Sequence, residues 1–230
     1  MASEHSTAST GPLARVITGA RTALFVMTGA LAVIWLVQIA NWSGDYQLVR
    51  DYGIHPRELG ELGDVLSAPL LHGTWEHVES NSVPLFVFGV LAAYRGMRRF
   101  LALTLLTVLT SGGAVWLLED SNTVTVGASG VVYGYFGYVV LRGIFDRNLL
   151  DTVIGVLLGA SYAYILLAVL PGDPGISWLG HLGGLLGGLA GAWVFRDRRA
   201  KAAPAAAATA PGQARSAHAD LLKELDDLGI

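Results

Sequence analysis

Thr22–Ala40, TALFVMTGALAVIWLVQIA, is the stretch that decides the class of fold. It holds no charged residue over a length close to the roughly 20 residues a helix needs to cross a bilayer core. It is longer than the apolar core of an export signal, about 7 to 15 residues, and no A-x-A-like site follows it, so it reads as a retained transmembrane helix. The rest of the chain agrees. Only 14% of the 230 residues are charged and 53% are hydrophobic, which is too apolar for an ordinary soluble protein.

Working outward, further runs of this order appear at about His77 to Tyr94, Phe100 to Leu118, Ser129 to Gly143, Asp151 to Leu170 and Trp178 to Phe195. The expected architecture is all-α, a polytopic bundle of six transmembrane helices over residues 20–197. Residues 1–19 form a polar tail before it. After it, 198–230 carry an Ala/Pro-rich linker, KAAPAAAATAPGQA, and then a short amphipathic helix with Leu221, Leu222, Leu225 and Leu228 on one face. Between the first two spans lies a loop from Asn41 to Leu71. Trp42, Tyr46 and Tyr52 within it, and Trp75 just beyond, suit the membrane interface.

Arg15 and Arg21, then Arg95, Arg98 and Arg99, then Arg142 and Arg147, then Arg196 to Lys201 fall on one side of a six-span chain, against Arg50 and Arg57 on the other. Basic short loops stay in the cytoplasm, so both termini are expected inside. A net charge of −3 without a basic run on a folded segment gives nucleic acid no electrostatic footprint. The absence of cysteine excludes disulfides, thiolate metal sites and a cysteine nucleophile.

Ionisable groups inside spans are expensive, and each is a functional candidate. His5, His55 and His218 fall in soluble segments, whereas His72, His77 and His181 lie at or in spans. In the predicted topology the second, fourth and sixth helices all start from the outer side. That brings His77, Asn81, Ser129 and His181 to one depth, with Asn81 one turn after His77 on the same face. The fourth span looks short, about 21 Å from Ser129 to Arg142 at 1.5 Å per residue, against a core near 30 Å. The polar segment before it, EDSNTVTVGA, is expected to dip into the protein and line a water-filled cavity.

A serine hydroxyl becomes a nucleophile when a histidine within hydrogen-bond reach takes its proton. Ser129 opens a helix, whose positive end favours the negative charge of a tetrahedral intermediate. Its backbone N–H and the side chains of His77 and Asn81 are candidate oxyanion donors. No carboxylate is placed as a third member, so a Ser129/His181 dyad is expected. Each residue also has a plainer reading: GASG and the glycines at 180, 183, 184, 187, 188 and 191 as helix-packing positions, His181 and Asn81 as interhelical hydrogen bonders, Tyr133 as a packing ring, His72 as a binder of loop backbone.

Together these residues resemble the rhomboid intramembrane serine proteases. HGTWEHVESN matches their H-x4-H-x3-N, GASGVVYGYFGYVVLRG resembles their G-x-S-G helix, and GHLGGLLGG their histidine followed by a glycine repeat. The resemblance implies Ser129 as nucleophile, His181 as general base and acid, and His77 and Asn81 as oxyanion donors. It implies Gly127 in the motif turn, Tyr133 beside the histidine and His72 as a structural residue. It further implies a bacterial plasma-membrane protein that cleaves transmembrane proteins near their outer ends, with no metal or cofactor. The family's Trp-Arg pair in the first loop is replaced by Gly63 and Asp64, and Glu79 stands where an apolar residue is expected. A catalytically inactive relative that binds transmembrane helices as chaperone or scaffold is the alternative, and a small transporter the second. Covalent labelling of Ser129 separates the first from a protease, and solute flux insensitive to Ser129→Ala would mark the second.

Overall fold

A computed structural model describes residues 12–172 and 175–197. Those up to Arg196 cluster as one unit, separate from one that begins at Asp197. The expected linker and amphipathic helix of 198–230 lie outside the described residues, as does the start of the N-terminal tail. Among the described residues the protein is all-helical, and the one β-type contact is an isolated bridge between Ile54 and Thr125.

The helices are α1 (Pro12–Ser43), α2 (Gln47–Tyr52), α3 (Trp75–Ala93), α4 (Met97–Leu118), α5 (Ser129–Asp146), α6 (Leu149–Ser161) and α7 (Trp178–Val194). Three 3-10 segments join them, Leu59–Val65, Ala68–Leu70 and Ala163–Val169. α1 runs well beyond the apolar stretch that announces it, because no proline or charged cluster interrupts it before Gly44 caps the last turn. Val16–Ser43 and Met97–Leu118 are each long and apolar enough to cross a membrane.

Two spans depart from their expected form. The predicted helix Asp151 to Leu170 is broken: α6 stops at Ser161, and the chain bends by 65° into the 3-10 segment Ala163–Val169. The fourth predicted span is longer than expected. α5 has 18 residues, about 27 Å. Arg142, which looks like a boundary, lies inside it, with its guanidinium 2.9 and 3.1 Å from Asp146 Oδ2. Asp151 at the start of α6 sits 3.6 Å from Arg142 and also pairs with Arg95 after α3. A paired charge can be buried where an isolated one could not.

α7 packs against both α4 and α5, α5 also against α3 and α6, and α1 against α3. Many large apolar side chains, Phe25, Leu105, Leu157 and Leu167 among them, point outward. Lipid tails solvate such residues as well as a protein core does, so helix association in a membrane relies on close packing through small residues. α5 and α7 show this directly. Gly184 lies against the Gly130 carbonyl and Gly188 against the Gly134 carbonyl, and a Cβ on either α7 glycine would overlap the carbonyl it faces. The four-residue spacing on both helices brings two successive turns into backbone contact.

Candidate active site

Ser129 is the first residue of α5, and His181 sits in the first turn of α7. Ser177 caps α7, accepting from the Gly180 N–H at 3.1 Å while its own hydroxyl donates to Glu119 at 2.7 Å. This fixes where α7 begins and so the height of His181. With the glycine contacts drawing the two helices together, Ser129 Oγ lies 2.9 Å from His181 Nε2.

The other ring nitrogen decides the tautomer. His181 Nδ1 is 2.9 Å from the Ala168 carbonyl. A carbonyl only accepts, so Nδ1 carries the hydrogen, and in the neutral ring Nε2 is left to accept the Ser129 proton. The partner of Nδ1 is thus a backbone oxygen of the 3-10 segment Ala163–Val169. Tyr133, one turn along α5 from Ser129, stacks on the His181 ring at 4.2 Å and 14°, and its hydroxyl donates to the Ile165 carbonyl at 2.5 Å. Segment Ala163–Val169 thus holds both the histidine and the ring beneath it.

The turn before Ser129 is built by His72 and Gly127. The His72 ring is fully buried, and its Nε2 accepts from the Ala128 N–H at 3.3 Å. Burial first, and the neighbouring His77 ring second, push its pKa down to about 3, so it stays neutral and keeps its acceptor lone pair. Asn41 of α1 donates to the His72 carbonyl at 3.1 Å. Gly127 donates to the Ala68 carbonyl at 2.9 Å and adopts φ 124°, where a side chain is strained. A Cβ there would also meet the His77 ring at 2.6 Å. His72 thus bonds loop backbone and Gly127 lies in the turn.

His77 and Asn81 stand on α3, which Thr74 starts by accepting from the His77 N–H at 3.1 Å. Asn81 is buried, and its Nδ2 has no hydrogen-bond partner among the described residues. Both residues line one cavity of about 920 Å³ with Gly127, Ser129 and His181. Its wall is finished by Glu119 and 123–127 of EDSNTVTVGA, a segment held by the antiparallel bridge between Thr125 and Ile54, while 120–122 are exposed. Ser129 N–H belongs to the free amides of a helix start. The cavity thus combines a hydroxyl, a histidine whose Nε2 can accept from it, an amide donor unpartnered among the described residues and a helix N-terminus.

Sequence reasoning misses the Ala168 and Ile165 carbonyls, which carry no side-chain signal. It also misses Ser111 on α4, whose hydroxyl donates to the Gly180 carbonyl at 2.8 Å and ties α4 to the start of α7.

Fold and site define a helical membrane protein with a hydrogen-bonded serine and histidine at the ends of two glycine-packed helices. The chain belongs to the rhomboid family: the model of the Rhomboid domain matches residues 59–198. An uncharacterized protein of Mycobacterium tuberculosis is 33% identical over 182 residues, 75% of each chain. One of Mycobacterium leprae is 30% identical over 191 residues, 79% of this chain and 75% of its own. The rhomboid protease GlpG of Haemophilus influenzae is 26% identical over 183 residues, 76% of this chain and 90% of its own. With its apolar helices, this rhomboid-family chain is an integral membrane protein.

Proposed function

We propose that the protein is an intramembrane serine endopeptidase that cleaves transmembrane proteins through an acyl-enzyme on Ser129. The observation that carries this reading is the paired geometry of His181, with Nε2 on Ser129 Oγ and Nδ1 on the Ala168 carbonyl. Ser129 Oγ attacks the scissile carbonyl carbon as its proton passes to His181 Nε2. The imidazolium then gives that proton to the leaving amine, and a water repeats the sequence on the ester. Charge on the tetrahedral oxygen is met by the Ser129 N–H, Asn81 Nδ2 and the His77 ring. Tyr133, Gly127 and His72 act by positioning. The reaction needs no metal or cofactor.

In this reading α1, α3, α4, α5, the bent α6 with its 3-10 extension, and α7 are six spans of a single domain over 20–197. The arginine asymmetry puts both termini in the cytoplasm and Ser129 toward the outer side of a bacterial plasma membrane. The remainder, 198–230, is a cytoplasmic appendage.

The test is labelling with a serine-directed fluorophosphonate in detergent and in lipid. Wild type is expected to label at one site, and Ser129→Ala to lose both the label and cleavage of a transmembrane substrate. Folded wild type that never labels would sink the enzyme assignment in favour of a rhomboid-like binder of helices.

A further inference from the structure

Away from the dyad, the loop between α1 and α3 gathers three ligating side chains, His55, Glu61 and Asp64. One donor atom from each lies within 4.8 Å of the others. His55 follows the bridge residue Ile54, and Glu61 and Asp64 sit in the 3-10 segment Leu59–Val65. His55 Nδ1 is 2.7 Å from Glu61 Oε2, yet it is sealed from solvent and its approach lacks the direction of a hydrogen bond. An imidazole lone pair and a carboxylate oxygen placed side by side, instead of aimed at each other, are disposed as two ligands of one centre. Asp64 supplies a third within the same 4.8 Å, and donors about 2.0 to 2.2 Å from a tetrahedral ion stand roughly 3.4 Å apart, so binding draws the three together by opening the His55 to Glu61 contact from 2.7 Å and closing Asp64 in.

We propose that His55, Glu61 and Asp64 form a divalent-cation site that takes Zn2+, with one imidazole nitrogen, two carboxylate oxygens and a water as the fourth ligand. One nitrogen among oxygens is a borderline donor set, better suited to zinc than to the all-oxygen preference of calcium or magnesium. The ion's role follows from the neighbours of its ligands. Ile54, next to His55, pairs with Thr125 in the segment that leads to Ser129. Val65, next to Asp64, packs over Gly112 of α4. Both Ile54 and Val65 line the cavity. A cation joining His55 to Asp64 therefore clasps two parts of the cavity wall and sets how far the loop stands off α4 and α5. It takes no part in the chemistry of the dyad, so the site stands or falls independently of the proposed protease activity.

The experiment uses the full chain, purified in detergent through a tag without histidine, stripped with a chelator and titrated with zinc chloride. Bound zinc is counted after equilibrium dialysis and the thermal midpoint is followed in the same samples. Wild type is expected to bind one zinc per chain and to gain in midpoint. His55→Ala should bind at least tenfold more weakly and lose the gain, and Asp64→Asn and the half-exposed Glu61→Gln should do the same. If His55→Ala does not fold, Glu61→Gln carries the comparison. No saturable binding by wild type, or binding unchanged in the variants and removed instead by replacing His5 and His218, would overturn the proposal.

Discussion

Gly184 rests on the carbonyl of Gly130, the residue after Ser129, with no space for a Cβ between them. The contact lies three residues beyond His181, so the closeness of two helix backbones and the 2.9 Å Ser129 to His181 hydrogen bond are parts of one arrangement. Gly184→Ala must push α7 off α5, and overpacking of this kind costs about 1 to 3 kcal/mol. We expect Gly184→Ala to lower the unfolding midpoint and to cut fluorophosphonate labelling at least tenfold. A folded variant that labels at the wild-type rate would show that the dyad does not depend on this contact.

Asn81 presents the opposite balance. Its Nδ2 is buried in the cavity without a partner among the described residues, so removing it breaks no hydrogen bond seen there and relieves an unsatisfied donor. Asn81→Ala is therefore expected to leave thermal stability unchanged or raised while lowering kcat by about 100- to 1,000-fold, the usual loss for one oxyanion donor. KM should change little, because in the proposed mechanism the donor meets charge that exists only in the transition state. A fall in stability with unchanged kcat would assign Asn81 to packing instead.

The sequence is legible where chemistry is written in side chains. His77, Asn81, Ser129 and His181 stand out because polar groups in apolar runs are costly, and all four line one cavity. The misreadings have physical causes. Arg142 looks like the end of a helix because its pairing with Asp146 one turn on and with Asp151 on the next helix, which lets the helix continue, shows only in three dimensions. The break at Tyr162 falls in SYAYILLAVL, which has no glycine or proline to announce it. The anchor of His181 is the Ala168 carbonyl, and a carbonyl belongs to every residue.

Tyr133 separates two ways of holding His181. Tyr133→Phe keeps the ring stacked at 4.2 Å and loses the bond to the Ile165 carbonyl. That should cost about 0.5 to 1.5 kcal/mol of stability and less than tenfold in kcat/KM. Tyr133→Ala removes the stacked ring and leaves a space beneath the base, so a loss well beyond tenfold is expected. Equal activity in the two variants would deny the ring a positioning role.

His72 makes the fold acid-sensitive in a definite window. Its pKa falls from 6.5 to about 3 on folding, chiefly through burial. Between those values the unfolded chain binds a proton that the folded chain refuses, so stability is full above about pH 6.5 and declines as the pH falls toward 3. The slope from this one group is at most about 1.4 kcal/mol per pH unit. Protonation would also place a hydrogen on Nε2, where the Ala128 N–H now donates at 3.3 Å, so the turn before Ser129 should loosen with it. Unfolding measured in detergent from pH 7.5 to 4.5 should show this decline in wild type and a shallower one in His72→Gln, whose amide oxygen can accept from the same N–H without titrating. Parallel curves for the two proteins would place the acid sensitivity elsewhere.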